Sequence, residues 1–306
     1  MWRRMQRSPD SATGVRWAVI TALVSGCAIW VNRFAVLAWE PAGGSVPYTT
    51  AKNLVAALVL IALLVGTSRE RPLRSSVERH WRGLTTVAVI GGGIPFALFF
   101  EGLARATSTQ AALIHKTLVL WVALLAIPLL GEKVRGLHIA AIGLVFGGQV
   151  ALSGGLAPLS VGSGELMILS ATLLWSLEVV VAKRLLSDVR PLELGVARMA
   201  GGSLVLAVIG GFDGAFGMLG ALQWQQIAWV LVTGAVLSAY VFTWLTALSL
   251  APATDVTAVL VGSVVITTLL AAGPGGLVGA AAPGFALIAV GVALIALRPF
   301  VAARRA

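Results

Sequence analysis

Apolar runs of near-spanning length recur along this chain, and short segments carrying most of its charge separate them. An α-helix needs about 20 mostly apolar residues to cross the hydrocarbon core of a bilayer. The runs are continuous and do not alternate polar with apolar, so they suit helices and not the strands of a barrel. A soluble domain is about a quarter charged, whereas here 58% of residues are hydrophobic and only 11% charged. Lipid must therefore be the solvent for most of the chain, and the fold class expected is an all-α membrane protein.

Ten runs are predicted to span: Trp17–Leu37, Tyr48–Val65, Leu84–Leu103, Ala111–Leu130, Leu137–Leu152, Glu165–Ala182, Leu192–Ile209, Ile227–Leu248, Val256–Ala272 and Phe285–Leu297. Several are a little short, which points to a thin or locally adapted bundle. Breakers fall between them, at Glu40-Pro41-Ala42-Gly43-Gly44, Gly154-Gly155 with Pro158, Gly210-Gly211 with Asp213-Gly214, and Gly273-Pro274-Gly275-Gly276. Basic residues ahead of the first run imitate a signal peptide. That run is long enough to span and many follow, so it reads as the first transmembrane helix. The single cysteine, Cys27, lies inside it and matches no disulfide, metal or redox spacing.

The net charge of +10 is distributed in a way that fits a membrane face better than nucleic acid. With the N-terminus inside, 17 of the 22 Lys and Arg residues fall on inner segments. They are Arg3, Arg4, Arg7 and Arg16; Arg69, Arg71, Arg74, Arg79 and Arg82; Lys133 and Arg135; Lys183, Arg184 and Arg190; and Arg298, Arg304 and Arg305. The outer segments hold Arg105 alone. This asymmetry supports cytoplasmic termini and the count of ten spans.

The punctuation repeats. Leu103-Ala104-Arg105-Ala106-Thr107-Ser108-Thr109 resembles Leu248-Ser249-Leu250-Ala251-Pro252-Ala253-Thr254. Pro47 corresponds to Pro191, and Asn32-Arg33 to Ala182-Lys183. Residues 1–153 and 154–306 then form two units of five helices. Because five is odd, the second unit enters from the opposite side. Such inverted repeats are a plan of secondary transporters, with the substrate site near the midplane.

The stretch Phe99-Phe100-Glu101-Gly102-Leu103-Ala104-Arg105-Ala106-Thr107, then Ala111-Ala112-Leu113, Leu129-Leu130-Gly131-Glu132-Lys133 and Gly143-Leu144-Val145-Phe146-Gly147-Gly148, resembles the drug/metabolite transporter superfamily in its EamA branch. The resemblance covers nearly the whole chain. It implies export of amino acids or other small metabolites, with helices five and ten at the periphery of a central cavity. The chain departs from the family pattern at Glu101, where an aromatic is usual, at His115-Lys116, where apolar residues are usual, and after helix nine, where Gly-Glu is replaced by Gly273-Pro274-Gly275-Gly276.

A charge at the bilayer centre costs at least about 2.5–3.5 kcal/mol, so it must face the bundle interior, pair or snorkel. Lys116 is the deepest base; it suits a substrate anion, or a pair with Glu101 on the neighbouring helix. His115 points about 100 degrees away from it. Glu178 is deep, and Arg198 on the next helix is its natural partner. Lys52 and Arg198 fall early in the second helix of each half. Arg33, with Asn32, reaches toward headgroups. Trp30, Trp121, Trp175, Tyr240 and Trp244 are candidates to shape a cavity, whereas Trp2, Trp17, Trp39, Trp81 and Trp224 suit the membrane interface. Gly91-Gly92-Gly93 before Pro95 is a candidate hinge or close-packing point, with Gly234 its weaker counterpart. Gly143 and Gly147 form a small-residue face that suits packing within the subunit or against a second copy in a homodimer. Glu132 reads as a structural corner and not as a site.

The expected partners are a small-molecule substrate and the lipid bilayer, with no nucleic acid. No cofactor or metal is expected: His80, His115 and His138 are far apart, and the serine of Val161-Gly162-Ser163-Gly164 has no evident base. An intramembrane enzyme, a channel, a lipid or lipid-linked head-group translocase and a multidrug efflux protein are the rival classes. The Arg-over-Lys bias with abundant Ala and Gly suggests a bacterial source, and so a bacterial inner membrane.

Overall fold

A computed structural model describes residues 10–40, 44–67, 73–103, 105–106, 108–134, 136–152, 162–212, 214, 216–217, 220, 222–273 and 279–303. Trp2, Arg3, Arg4, Arg7, Pro41, Ala42, Gly43, Arg69, Arg71, Ala104, Thr107, Arg135, Gly154, Gly155, Pro158, Val161, Asp213, Pro274, Gly275, Gly276, Arg304 and Arg305 lie outside them, as does the join between the two expected units.

The described residues build ten helical rods and no strand. α1 is Asp10–Trp39 and α2 is Ser45–Thr67. α3 runs Leu73–Val87, passes through a π turn at Ala88–Gly93 and continues over Ile94–Leu103. α4 is Ser108–Lys116 and Leu118–Leu130, jointed at Thr117. α5 is Gly136–Leu152 and α6 is Ser163–Leu185. α7 runs Pro191–Val196, through a π turn at Ala197–Gly201, to Gly202–Phe212. α8 is Trp224–Leu250, α9 is Ala253–Leu260 with Ser263–Ala272, and α10 is Ala282–Ala303. Eight of the rods are long and apolar enough to cross a membrane; α5 and α10 carry shorter apolar stretches, Gly136–Leu152 and Ala282–Leu297.

Several rods are longer than their apolar runs, while α5 keeps only 17 residues. Flanking polar and small residues are helical too, so α1 has 30 residues, α2 and α6 have 23 each, and α8 has 27. Gly210 and Gly211, read as a breaker, lie within α7.

Packing partners come in exchangeable sets. α1 lies along α8 and α9, as α6 lies along α3 and α4. α2 packs on α8 as α7 packs on α3; α2 also meets α7, α4 meets α9, and α5 pairs mainly with α10. Leu54, Leu58, Leu124, Ile139, Leu204 and Phe212 face outward. Large exposed apolar side chains on so many rods would aggregate in water and match lipid tails.

The loops sort into two ends. At one, Gly14 packs on Ala251, Gly83 on Leu185, and Glu132 on Ala253 and Thr254. At the other, Gly164 packs on Arg105 and Ala106, Gly210 on Val46, and Gly148 on Gly284. Trp39, expected at the interface, is buried at this second end. Its indole donates to Gln226 O at 2.9 Å, while Gln226 Nε2 donates to Ala38 O at 3.1 Å. Trp81 and Trp224 are exposed, as interfacial residues are.

The first end is fastened by charge. Gly131 (φ 65°) turns the chain out of α4, a conformation that glycine adopts without Cβ strain. Glu132 then accepts hydrogen bonds from Ala253 N (2.6 Å), Thr254 N (3.1 Å) and Thr254 Oγ1 (2.8 Å), which caps α9. Lys183 donates to Leu248 O (2.6 Å) and Ala251 O (2.8 Å), which caps α8. Arg184 donates to Leu129 O. Each charge meets the helix end of opposite polarity. Glu132 is thus the structural corner that its place after Gly131 suggested.

Two glycine faces separate by environment. A Cβ on Gly92 would stand 1.9 Å from Arg198 O, and one on Gly202 would stand 2.3 Å from Gly92 O, so α3 and α7 touch backbone to backbone. Gly143 and Gly147 have nothing within 4 Å of an added Cβ; Gly148, Gly284 and Gly291 make the α5–α10 contact instead. Packing of that Gly143–Gly147 face within the subunit is therefore corrected.

Gly92→Ala is expected to destabilise the purified protein by at least the about 1–3 kcal/mol typical of overpacking, seen as a lower unfolding midpoint in detergent. Gly143→Ala is expected to leave the midpoint unchanged or raise it slightly, since alanine favours helix by about 1 kcal/mol. Glu132→Ala in the same assay is expected to lower the midpoint, since each hydrogen bond to a charged group contributes about 1.5–3 kcal/mol.

Candidate functional site

Polar groups inside the bundle gather where the π turns of α3 and α7 meet. A π turn leaves carbonyl oxygens outside the regular helical ladder, and buried carbonyls need donors. Gly91 O accepts from Trp175 Nε1 at 3.0 Å, and Gly92 O from Asn53 Nδ2 at 3.4 Å. With no side chains of their own, Gly91 and Gly92 let Glu178 of α6 and the backbone of α7 lie directly against α3.

Glu178 is 1% exposed, and its Oε1 accepts from Arg198 Nε at 3.2 Å. The partnership expected between these two residues is formed. The Arg198 guanidinium also lies 5.4 Å from the Trp244 ring centroid, and Trp244 is stacked with Tyr240 at 6.4 Å and 4°. Its Nη1 is buried without a hydrogen-bond partner.

Trp175 continues this chain of contacts toward α4. Phe96, Phe99 and His115 surround it, with ring centroids 5.3, 5.5 and 5.1 Å away. His115 Nδ1 is buried and unpartnered. Glu178, Arg198, Trp175, His115, Tyr240 and Trp244, six of the nine candidates, therefore form one contiguous constellation.

Lys52 belongs to a neighbouring group. It is buried, donates to Asn32 Oδ1 at 3.1 Å and lies 4.9 Å from the Tyr48 ring, whose hydroxyl donates to the same Asn32 oxygen at 2.6 Å. Asn32 thus acts inside the bundle and not at the headgroups; Arg33, one step around the helix, is exposed. Asn53 links the two groups, being next to Lys52 in sequence and bonded to Gly92. A polar pair, Lys52-Asn53, in an otherwise apolar run was the available signal for Asn53. Tyr48, read as the edge of a span, gave none.

The two bases have a packing feature in common. A Cβ on Gly234 of α8 would stand 3.1 Å from Lys52 O, as one on Gly92 of α3 meets Arg198 O. Each base thus lies where a glycine of a neighbouring rod comes close to its backbone.

Lys116 and Glu101 do not meet. Glu101 is exposed at the end of α3 and bonds Arg105, four residues on. Lys116 is half-buried and has no hydrogen-bond or ion-pair partner among the described residues. It directly precedes the joint in α4, where Thr117 N bonds Ile114 O at 3.1 Å and Trp121 Nε1 bonds Thr117 Oγ1 at 3.0 Å. α9 has the same kind of joint: Val261 N bonds Ala258 O at 3.3 Å and Gly262 N bonds Val259 O at 3.0 Å. Thr117 stands as far beyond Ala106 as Gly262 stands beyond Ala251. The joints thus occupy equivalent places in the two halves. Only the second has a glycine to announce it.

Of the remaining aromatics, Trp30 packs edge-on against Phe34 on its own helix. No group of three or more His, Cys, Asp or Glu suited to a metal occurs among the described residues. His138 of α5 and Asp255 of α9 approach to 3.1 Å, both buried, and tie helices of the two halves together. What the central constellation offers is one cation, Arg198, beside the acid that holds it, with aromatic faces and unfilled hydrogen-bonding edges. It offers no evident nucleophile poised beside a base.

No curated protein matches the chain. A solved structure described only as a crystal structure of a protein is similar in fold, with a TM-score of 0.68 at 19% identity, covering 90% of this chain and 95% of that one. The model of the EamA-like transporter family matches residues 12–154 and again 162–297. With both halves matched, this multi-pass membrane protein belongs to the EamA-like transporter family.

Proposed function

We propose that the chain is a secondary transporter that exports a small polar metabolite, an amino acid or a related compound, by alternating access. All ten rods span the membrane in two inverted repeats, residues 1–153 and 154–306. The membrane is a bacterial inner membrane and both termini are cytoplasmic. The observation that carries this reading is the matched pair of joints, at Thr117 in α4 and Gly262 in α9. A tightened turn at the same place in a helix of each half is a point where a transporter built of two repeats can open a site near the midplane. The exchangeable packing partners support the inversion. So does the placement of Lys52 and Arg198, one base on the second helix of each half, each close to a glycine of a neighbouring rod.

The half-buried, unpaired Lys116 beside the first joint is the side chain best placed to engage cargo there. Arg198 and Lys52 act from the two second helices, Trp175 and Trp244 supply aromatic walls, and the glycine contacts of α3 with α7 and of α8 with α2 are where rods can slide past one another. Glu101, held by Arg105 at a helix end, has a structural role in this scheme.

Cells carrying the wild type, Lys116→Ala or an empty vector are compared by untargeted mass spectrometry of medium and cytosol. The expected result is a compound enriched several-fold in the medium with the wild type and at least fivefold less so with Lys116→Ala at equal membrane abundance. Equal export by both would remove Lys116 from the transport path. No redistribution by a correctly inserted wild type would overturn the exporter reading.

A further inference from the structure

The deep charges do not balance. Glu178 is the acid far from any helix end among the described residues, and its carboxylate is held by Arg198 Nε at 3.2 Å. Against it stand Arg198, Lys52 and Lys116. Lys52 finds a neutral acceptor in Asn32, and Lys116 finds none. A buried charge left partly unsatisfied is costly, and such groups inside a membrane mark a pathway for cargo.

Arg198 is the sharpest case. It is 5% exposed, and a guanidinium cannot shed its proton to escape burial. One edge is occupied by Glu178 and one face by Trp244, which leaves the buried Nη1 without an acceptor. The group that completes this site must supply oxygen acceptors in the guanidinium plane, as a carboxylate or another oxyanion does. An ammonium group would find Glu178 already bonded to Arg198, in a bundle whose deep charges are three cations against one acid. The unpartnered Oδ1 of Asn53 suits a neutral hydroxyl or amide N–H of the cargo, and a single neutral acceptor does not offset those charges.

We infer that the cargo carries net negative charge at neutral pH, that its oxyanion group binds the open Nη1 edge of Arg198, and that zwitterionic amino acids and amines are excluded. This rests on the transporter reading above and narrows its substrate class to organic anions.

The test uses the full chain in proteoliposomes loaded with the small-molecule fraction of a cell lysate. Compounds appearing outside are separated by ion exchange into anionic, zwitterionic and cationic fractions, with empty liposomes as reference. Efflux confined to anions, at least threefold over empty liposomes, is the expected result. Arg198→Lys is expected to cut it at least tenfold, because lysine keeps the charge but loses the planar fork. Lys116→Gln serves as a second variant, with a reduced rate expected, should Arg198→Lys fail to fold; the charge class moved by the wild type decides the matter without either. Efflux of zwitterions or cations by the wild type would overturn the inference and leave the transporter reading standing. Anion efflux unaltered in well-folded Arg198→Lys would overturn the assignment to Arg198. Efflux of nothing would overturn both readings.

Discussion

A backbone amide or carbonyl inside hydrocarbon has no water to turn to, and this constraint shapes the π turn of α3 and the helix ends that the side chains described above cap. Where the ladder is interrupted, a side chain takes over the orphaned group. The indole of Trp175 serves Gly91 O, and the amide of Asn53 serves Gly92 O. Glu132 satisfies the first amides of α9, and Lys183 the last carbonyls of α8. Trp175, Asn53, Glu132 and Lys183 are in this sense substitutes for solvent.

The π turn of α3 shows how backbone geometry makes a site. Three successive glycines remove the side chains that would hold α6 and α7 away, so the Glu178 carboxylate and the α7 backbone come to rest on α3 itself. The ion pair of Glu178 with Arg198 follows from that closeness. So does the position of Trp175, which donates to the same turn and carries the contact onward to His115. Packing, hydrogen bonding and charge placement here have one cause.

The rods were legible because apolar run length is a strong and local signal. The Glu178–Arg198 pair was legible because two deep opposite charges on consecutive helices have few alternatives. Lys116 with Glu101 followed the same logic and did not form: Arg105, one helical turn from Glu101, is a nearer partner than anything on α4. The joint at Thr117 was hidden because it contains neither glycine nor proline, and its turn is closed by i to i+3 bonds and the Thr117 hydroxyl. Trp39 and Asn32 were misplaced because a residue near a helix end can point inward or outward, and only the neighbouring helix decides which.

The corner built on Glu132 has a further consequence. The carboxylate that leaves the end of α4 fastens the start of α9, 121 positions further along the chain. Such a bond cannot close until the later helix has followed the earlier one into place. The corner therefore sets late in assembly, and until then the first amides of α9 are without the acceptor that holds them in the finished bundle.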